Sequence, residues 1–565
     1  MERIFKKMEK KRVQVISRRD FLKMTGMAGA AVIVTSCAPK AVSPTSAPGE
    51  SGGSAEEVTR TLIVVAPATP PSVDLDVYAG NEYGFFCCNL YEPPLTYKRI
   101  STDIPGVYKC DVAGKGDESI QGAVFESWEM KDDQKTYILK LRKGLKSPYG
   151  NEVTADDVLW RIERAFGSQG SGMFNFTIAG LTGPEDVTKI DDYTVQIVTP
   201  KGPNPLFYKS FCIFTTGVFD SIEAKKHATD SDPWAMDWLT MHDAGFGPYH
   251  IDTFTAGEEV VLVKNPNYYE DVYFDKIIWK AVPEPTTRLA LLEAGDGHFA
   301  NSFLTYDQNK QIENGKGEAI LRSVNPDNQE NYLEFNFTMP PFNNIKARQA
   351  VAYAIPYQDI IDSAYFGMAG EGGWNVPPFY PDATNEFWVY KTDLDKAKTL
   401  WEESGEPNEF TLSWDSGISD HEKIAILIQT NLAKIGVNVI LDKQPNAVFS
   451  ERLNNLAMPA FIMWKASWNP DCSHQIYVNW HSASNFNFKG YNNPMVDSLL
   501  EETRNMLDSE ERSEKHKELQ KILAEEVPSV NVCYRGWHQG VNKNLVGLQW
   551  FLDSYARFKM LEFKE

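Results

Sequence analysis

Beyond its N-terminal segment the chain has no apolar run approaching the roughly 20 residues a membrane-spanning helix needs, so its body is expected in water. It also lacks a basic excess. Lys and Arg number 56 against 77 Asp and Glu, a formal net charge of −21. A surface without clustered cations cannot displace the counterions of a phosphate backbone, which excludes nucleic acid as a partner. The seven cysteines, Cys37, Cys87, Cys88, Cys110, Cys212, Cys472 and Cys533, never take the C-x-x-C spacing of a zinc or redox site, and they support neither metal nor other cofactor. Buried free thiols are the plainer reading of them. One disulfide, for example Cys88 with Cys110, is the alternative in an oxidising compartment. The chain after residue 57 contains no G-x-S-x-G elbow, no H-E-x-x-H and no P-loop. Its nine histidines are scattered, and the neighbours His242–Asp243 and Asp471/His474 are better explained by capped turns and surface hydrogen bonds than by catalysis or metal binding. Internal repeats, the mark of many adhesive proteins, are missing too. A secreted hydrolase is therefore the most remote reading.

What is present is enough chain for more than one core. At 565 residues it exceeds the roughly 250 to 300 residues at which a single core stops growing, and 42% hydrophobic with 24% charged residues is an ordinary globular balance. Basic residues gather at the front: residues 1–36 hold nine Lys or Arg. Within them Ser17-Arg18-Arg19-Asp20-Phe21-Leu22-Lys23 precedes a short apolar stretch, Gly26 to Val34, of signal-peptide length and too short to span a bilayer. The segment resembles a twin-arginine export signal, with Arg18 and Arg19 as the arginine pair. Val34-Thr35-Ser36-Cys37 resembles a lipobox, which implies a lipid on Cys37 as the first mature residue. Residues 37–57 are rich in Pro, Ser, Gly and Ala and read as a flexible tether.

Strands and helices alternate after the tether. Thr61–Val65 reads as a buried strand. Thr136–Arg142 sets Tyr137, Leu139 and Leu141 opposite Lys140 and Arg142, the period of a half-buried one, and Tyr193–Ile197 alternates likewise. Thr154 is the cap of a helix carrying Val158, Ile162, Ala165 and Phe166. Asn344 opens a helix that Pro356 breaks, and Asp393 opens another that Gly405 stops. The clearest helix is Glu422–Ile435, whose stripe of Ile424, Leu427, Ile428, Leu432 and Ile435 gives way at Gly436 to the strand Val437–Leu441. Glu501–Glu526 reads as a charged, largely solvated helical region ended by Pro528. The fold class is α/β.

Several segments, in order, resemble the extracellular solute-binding proteins of ABC importers, the peptide/nickel-type group called family 5. Glu126-Ser127-Trp128-Glu129 with Thr136–Lys146, the helix Thr154–Phe166, Gly245-Phe246-Gly247-Pro248-Tyr249, Lys264–Tyr269, and Asn336–Ile355 with its Pro340-Pro341-Phe342 and Arg348-Gln349-Ala350 carry the likeness. The resemblance implies two α/β lobes closing as a clamp over a solute. Lobe I would take residues 58–281 and a C-terminal return, 536–565, with an extra subdomain at about 95–230; lobe II would take 282–535. It further implies a monomer outside the cytoplasm, at the periplasm or cell surface, held to the membrane by the lipid on Cys37. Such a receptor passes its ligand unchanged to permease subunits.

The segment Phe461–Asp471 is similar to one that in peptide-binding relatives supplies an Asp for the peptide's ammonium group. Aligning Trp464 with the family's Trp puts Ser467 at that Asp, and a hydroxyl brings no charge. Unless Asp471 reaches in, a peptide ammonium lacks its partner there. Trp464 and Trp468 beside Ser467 and Asn469 also suit sugar rings. The candidate ligand residues are therefore Trp464, Ser467, Trp468, Asn469, Asp471 and, as a further aromatic, Trp374. An oligopeptide or dipeptide is the favoured solute, an oligosaccharide the alternative.

Overall fold

The computed structural model describes residues 59–77, 80–300, 304–315, 317–325, 327–373 and 375–564. Cys37, Arg18, Arg19 and Trp374 lie outside the described residues. The strand Thr61–Ala66 pairs in parallel with Lys276–Ala281, and Glu259–Lys264 and Tyr249–Thr255 continue that sheet in antiparallel fashion. Between these partners the chain makes a long excursion. It includes a four-stranded antiparallel sheet in the order Phe125–Met130, Thr136–Leu141, Thr194–Val198, Val187–Asp191. The period-two pattern places Tyr137, Leu139 and Leu141 inside and leaves Lys140 exposed. A six-stranded sheet then forms in the order Gly370–Glu371, Ser529–Tyr534, Gln329–Phe335, Ala460–Ala466, Glu409–Asp415, Asn438–Gln444.

Local signals explain most helix boundaries. The Thr154 N–H donates to Asp157 Oδ2 at 2.8 Å, fixing the start of Ala155–Ser168. Asn344 and Asp393 cap Ile345–Ala354 and Leu394–Ser404 through their side chains, and Gly405 takes the left-handed φ of 69° that closes the second. The helix Ser419–Ala433 runs slightly earlier than its stripe suggests. It buries Ile424, Ala425, Ile428 and Leu432, and hands over to Asn438–Gln444, parallel to Glu409–Asp415. Helices Ile345–Ala354, Leu394–Ser404 and Ser419–Ala433 share one core cluster with apolar side chains of the six-stranded sheet; Ala155–Ser168 belongs to a second large cluster, which also takes in the first sheet. The result is the α/β, two-lobed architecture anticipated above.

One expectation is corrected. The helical region Glu501–Glu526 is interrupted and less solvated than expected. Helices Pro494–Thr503 and Glu510–Glu526 are separated at residues 504–509, and the second buries Arg512, His516, Leu519, Gln520 and Leu523. Arg512 and His516 enter the protein because partners meet them: Arg512 Nη2 donates to Asp471 at 2.7 Å, and His516 bonds Ser473 Oγ at 2.6 Å and Asp382 Oδ2 at 2.8 Å. The cysteines follow their plainer reading: Cys88 and Cys110 are free and buried rather than bridged, with burial pushing each thiol up to about 12. The neighbouring pairs behave as turns. The His242 ring stacks on Trp238, Asp243 Oδ2 accepts from the Ile251 N–H at 2.8 Å, and Asp471 caps the backbone of His474.

Candidate functional site

The strand Ala460–Ala466 lies inside the six-stranded sheet, between Gln329–Phe335 and Glu409–Asp415. Its end therefore emerges at a position fixed from both sides. The chain turns through Ser467–Asp471 and enters the helix Cys472–Trp480. Asp471 sets that turn: its Oδ1 accepts from the His474 N–H at 2.9 Å, and its Oδ2 from Arg512 Nη2 at 2.7 Å. Opposite stand Ser171, Phe174, Asn175 and Thr215, contributed by the first part of the chain. The two sides enclose a cleft of about 610 Å³.

Four of the residues singled out from sequence line this cleft: Trp464, Ser467, Trp468 and Asn469. Trp464 is 42% exposed. Trp468 is half-buried and packs on the buried ring of Phe214, centroid to centroid 5.6 Å. Ser467 Oγ donates to the Asn469 carbonyl at 3.2 Å, and its own carbonyl accepts from the Tyr380 hydroxyl at 2.5 Å and from Asn328. Asn469 Oδ1 accepts from Ser210 Oγ at 3.2 Å, and the Pro470 carbonyl from Lys209 Nζ at 3.0 Å, so the loop is tied to the facing wall on both counts. Asp471 turns away from the cleft toward Arg512.

Sequence reasoning missed Phe174, Asn175, Lys465, Gln475, Phe486 and Phe488, all of which line the cleft. The Phe486-Asn487-Phe488 alternation just after the helix was a usable signal. For Phe174 there was none, because only the tertiary fold carries it to the other wall.

The electrostatics are one-sided. Among the described residues no Asp or Glu lines the cleft, whereas Lys465 does. Lys465 pairs with Glu334, which also holds Lys489 at 3.0 Å in full burial. Burial pushes Lys489 down to about 7 despite the opposing pull of Glu334. Glu330, on the same strand as Glu334, accepts from Gln475 Nε2 at 2.6 Å and from the Tyr332 hydroxyl at 2.8 Å, and burial raises it to about 7. Burial likewise lowers His474 to about 4, leaving a neutral ring at the cleft edge. Burial alone would raise Asp471, but Arg512, helped by His516 and Lys209, outweighs it and holds the carboxylate well below its usual range. Among the described residues no group of three His, Cys, Asp or Glu is placed to hold a metal ion. The arrangement can bind and enclose a molecule with apolar and amide-like parts.

Comparison with known proteins gives this geometry a context. Residues 15–35 match the TAT (twin-arginine translocation) pathway signal sequence, which puts the protein outside the cytoplasm. Over 451 residues the chain is 28% identical to heme-binding protein A of Haemophilus influenzae, covering 74% of this chain and 80% of that one. Over 457 residues it is 26% identical to the probable D,D-dipeptide-binding periplasmic protein DdpA of Escherichia coli, covering 78% and 84%. In fold it is similar to the ABC transporter-associated periplasmic binding protein DppA from Helicobacter pylori, solved in complex with peptide STSA. That likeness has a TM-score of 0.71 at 22% identity and covers 90% of this chain and 99% of that one. Residues 119–487 match the family described as bacterial extracellular solute-binding proteins, family 5 Middle, and with that match spanning well over half of its length, the chain belongs to this family of solute-binding proteins.

Proposed function

We propose that the protein captures a peptide-class solute in the cleft between its lobes and delivers it, chemically unchanged, to the permease of an ABC importer. The observation that carries this reading is the 610 Å³ cleft itself, whose walls come from distant parts of the chain and whose floor is the loop Ser467–Asn469. A ligand touching both walls stabilises the closed form over the open one, and that difference is the signal a membrane partner reads. Relatives named for heme, D,D-dipeptide and peptide binding favour peptide over oligosaccharide as the solute. In this reading Trp464 and Trp468 supply flat contact faces, Ser467 and Asn469 supply polar ones, and Asp471 shapes the loop rather than touching ligand. Trp374 remains a further aromatic contact. The lobes divide at 281/282 and 535/536, the extra subdomain spans about 95–230, the protein acts as a monomer, and a lipid on Cys37 keeps it near the permease.

A thermal-shift screen of short peptides tests the proposal. A ligand at 100 times its dissociation constant adds about 2.7 kcal/mol of stability, and mass spectrometry is expected to recover it intact. A hit that is turned over, or a hit whose affinity Trp468→Ala leaves unchanged, overturns this reading.

A further inference from the structure

The cleft's charge inventory says more about the solute than its shape does. The buried carboxylates on the cleft loop and on the two strands flanking Ala460–Ala466 are already committed. Asp471 serves Arg512 and the His474 N–H, and Glu334 serves Lys465 and Lys489. Glu330 serves Tyr332, Gln475 and Asn531, and Asp415, on the other neighbouring strand, accepts from the Gly417 N–H and Asn446 Nδ2. Near the opposite wall, buried Asp76 is bound by Arg161 and Arg164 at 2.9 and 2.5 Å and accepts from the Gly172 N–H at 3.0 Å. None of these lines the cleft, and among the described residues the one Lys, Arg, Asp or Glu that does is Lys465. An ammonium group entering this space would lose its water and gain no counter-charge, which is strongly unfavourable.

The apolar side is equally specific. Phe174, Trp464 and Phe486 are 52%, 42% and 48% exposed, although large aromatics are usually covered. All three face one cleft together with Trp468 and Phe488. Neutral amides, Asn175, Gln475 and Asn479, line the same cleft; their amide nitrogens already donate to Thr215 Oγ1, Glu330 and the Gln475 carbonyl, so they add polar surface without adding charge.

Resting on the reading of the cleft as a peptide-class site, we propose that it selects molecules whose amine is blocked or absent: N-acylated, aromatic-bearing peptides rather than free-amine ones. The experiment is calorimetry on the intact protein at pH 6.5, where an α-amine is charged, with Phe-Ala-Phe-amide and its N-acetyl form. The two differ only at the amine. The acetylated peptide is expected to bind at least tenfold tighter. Ser467→Asp, which brings a carboxylate to the cleft floor, is expected to shift the ratio at least tenfold toward the free amine, with its thermal midpoint reporting that it folds. Equal or tighter binding of the free-amine peptide to the wild type overturns this inference while leaving capture in the cleft standing. Binding of neither form overturns the peptide reading and this inference with it. If Ser467→Asp does not fold, the wild-type pair alone decides.

Discussion

Replacing Arg512 with Met removes the cation that holds the cleft loop in place. The guanidinium is 2% exposed and donates three ways: Nη2 to Asp471 at 2.7 Å, Nη1 to Asp508 at 2.7 Å and Nε to the Thr503 carbonyl at 3.0 Å. Breaking a buried pair by deleting one partner leaves an uncompensated charge and costs about 3–5 kcal/mol. Asp471 is that charge, buried at the N-terminus of Cys472–Trp480. The pH dependence separates this cause from simple loss of packing. In the wild type the folded pKa of Asp471 is lowered, so its contribution is complete above the unfolded value of about 3.9 and is lost as pH falls below it. Without Arg512 burial dominates and raises the folded pKa above the unfolded one. Protonation on acidification then relieves the buried charge and the variant recovers. Urea denaturation of both proteins at pH 7 and pH 5 reads the effect. We expect a deficit of about 3–5 kcal/mol at pH 7 that narrows by at least ~1 kcal/mol at pH 5. Asp471→Asn combined with Arg512→Met removes the charge and keeps a capping side chain, and should regain at least half of the loss. A deficit below about 1 kcal/mol at pH 7, or one independent of pH, refutes the reasoning.

Three further outcomes are expected. Cells grown with a labelled fatty acid should label the wild type and not Cys37→Ala; label retained by the mutant rules out that anchor. Arg18→Lys with Arg19→Lys should hold the precursor in the cytoplasm, as read by fractionation, and normal export would contradict the role of the arginine pair. His421 is fully buried against Asn331 Oδ1 at 3.2 Å, and burial, assisted by Arg535, lowers it to about 3. Its neutral form is the folded one, so its contribution is complete above the unfolded value of about 6.5 and is lost as pH falls, by up to about 1.4 kcal/mol per pH unit. His421→Asn should therefore be less stable than wild type at pH 7, with a gap that shrinks at pH 5; a constant gap contradicts the burial argument.

The sequence by itself determined what local physics controls. Tyr137, Leu139 and Leu141 on one face define a strand with no reference to the rest of the fold, and Thr154, Asn344, Asp393 and Gly405 mark helix ends because caps act within a single turn. Trp464, Ser467, Trp468 and Asn469 were reachable because they lie in one short segment, which carries all four to the cleft when it emerges from the sheet. Charge was where local reasoning failed. Glu510–Glu526 reads as solvated because each side chain is judged alone, yet Arg512 and His516 are buried by Asp471, Ser473 and Asp382, partners that the fold brings from earlier in the chain. For the same reason Asp471 looked available to a ligand and is spent on Arg512. Phe174 joins Trp464 only because the chain folds its first part over its second. Periodicity and capping depend on neighbours within a few residues, and local sequence records those. Whether a buried charge has a counter-charge depends on which distant segments meet, and tertiary packing alone decides that.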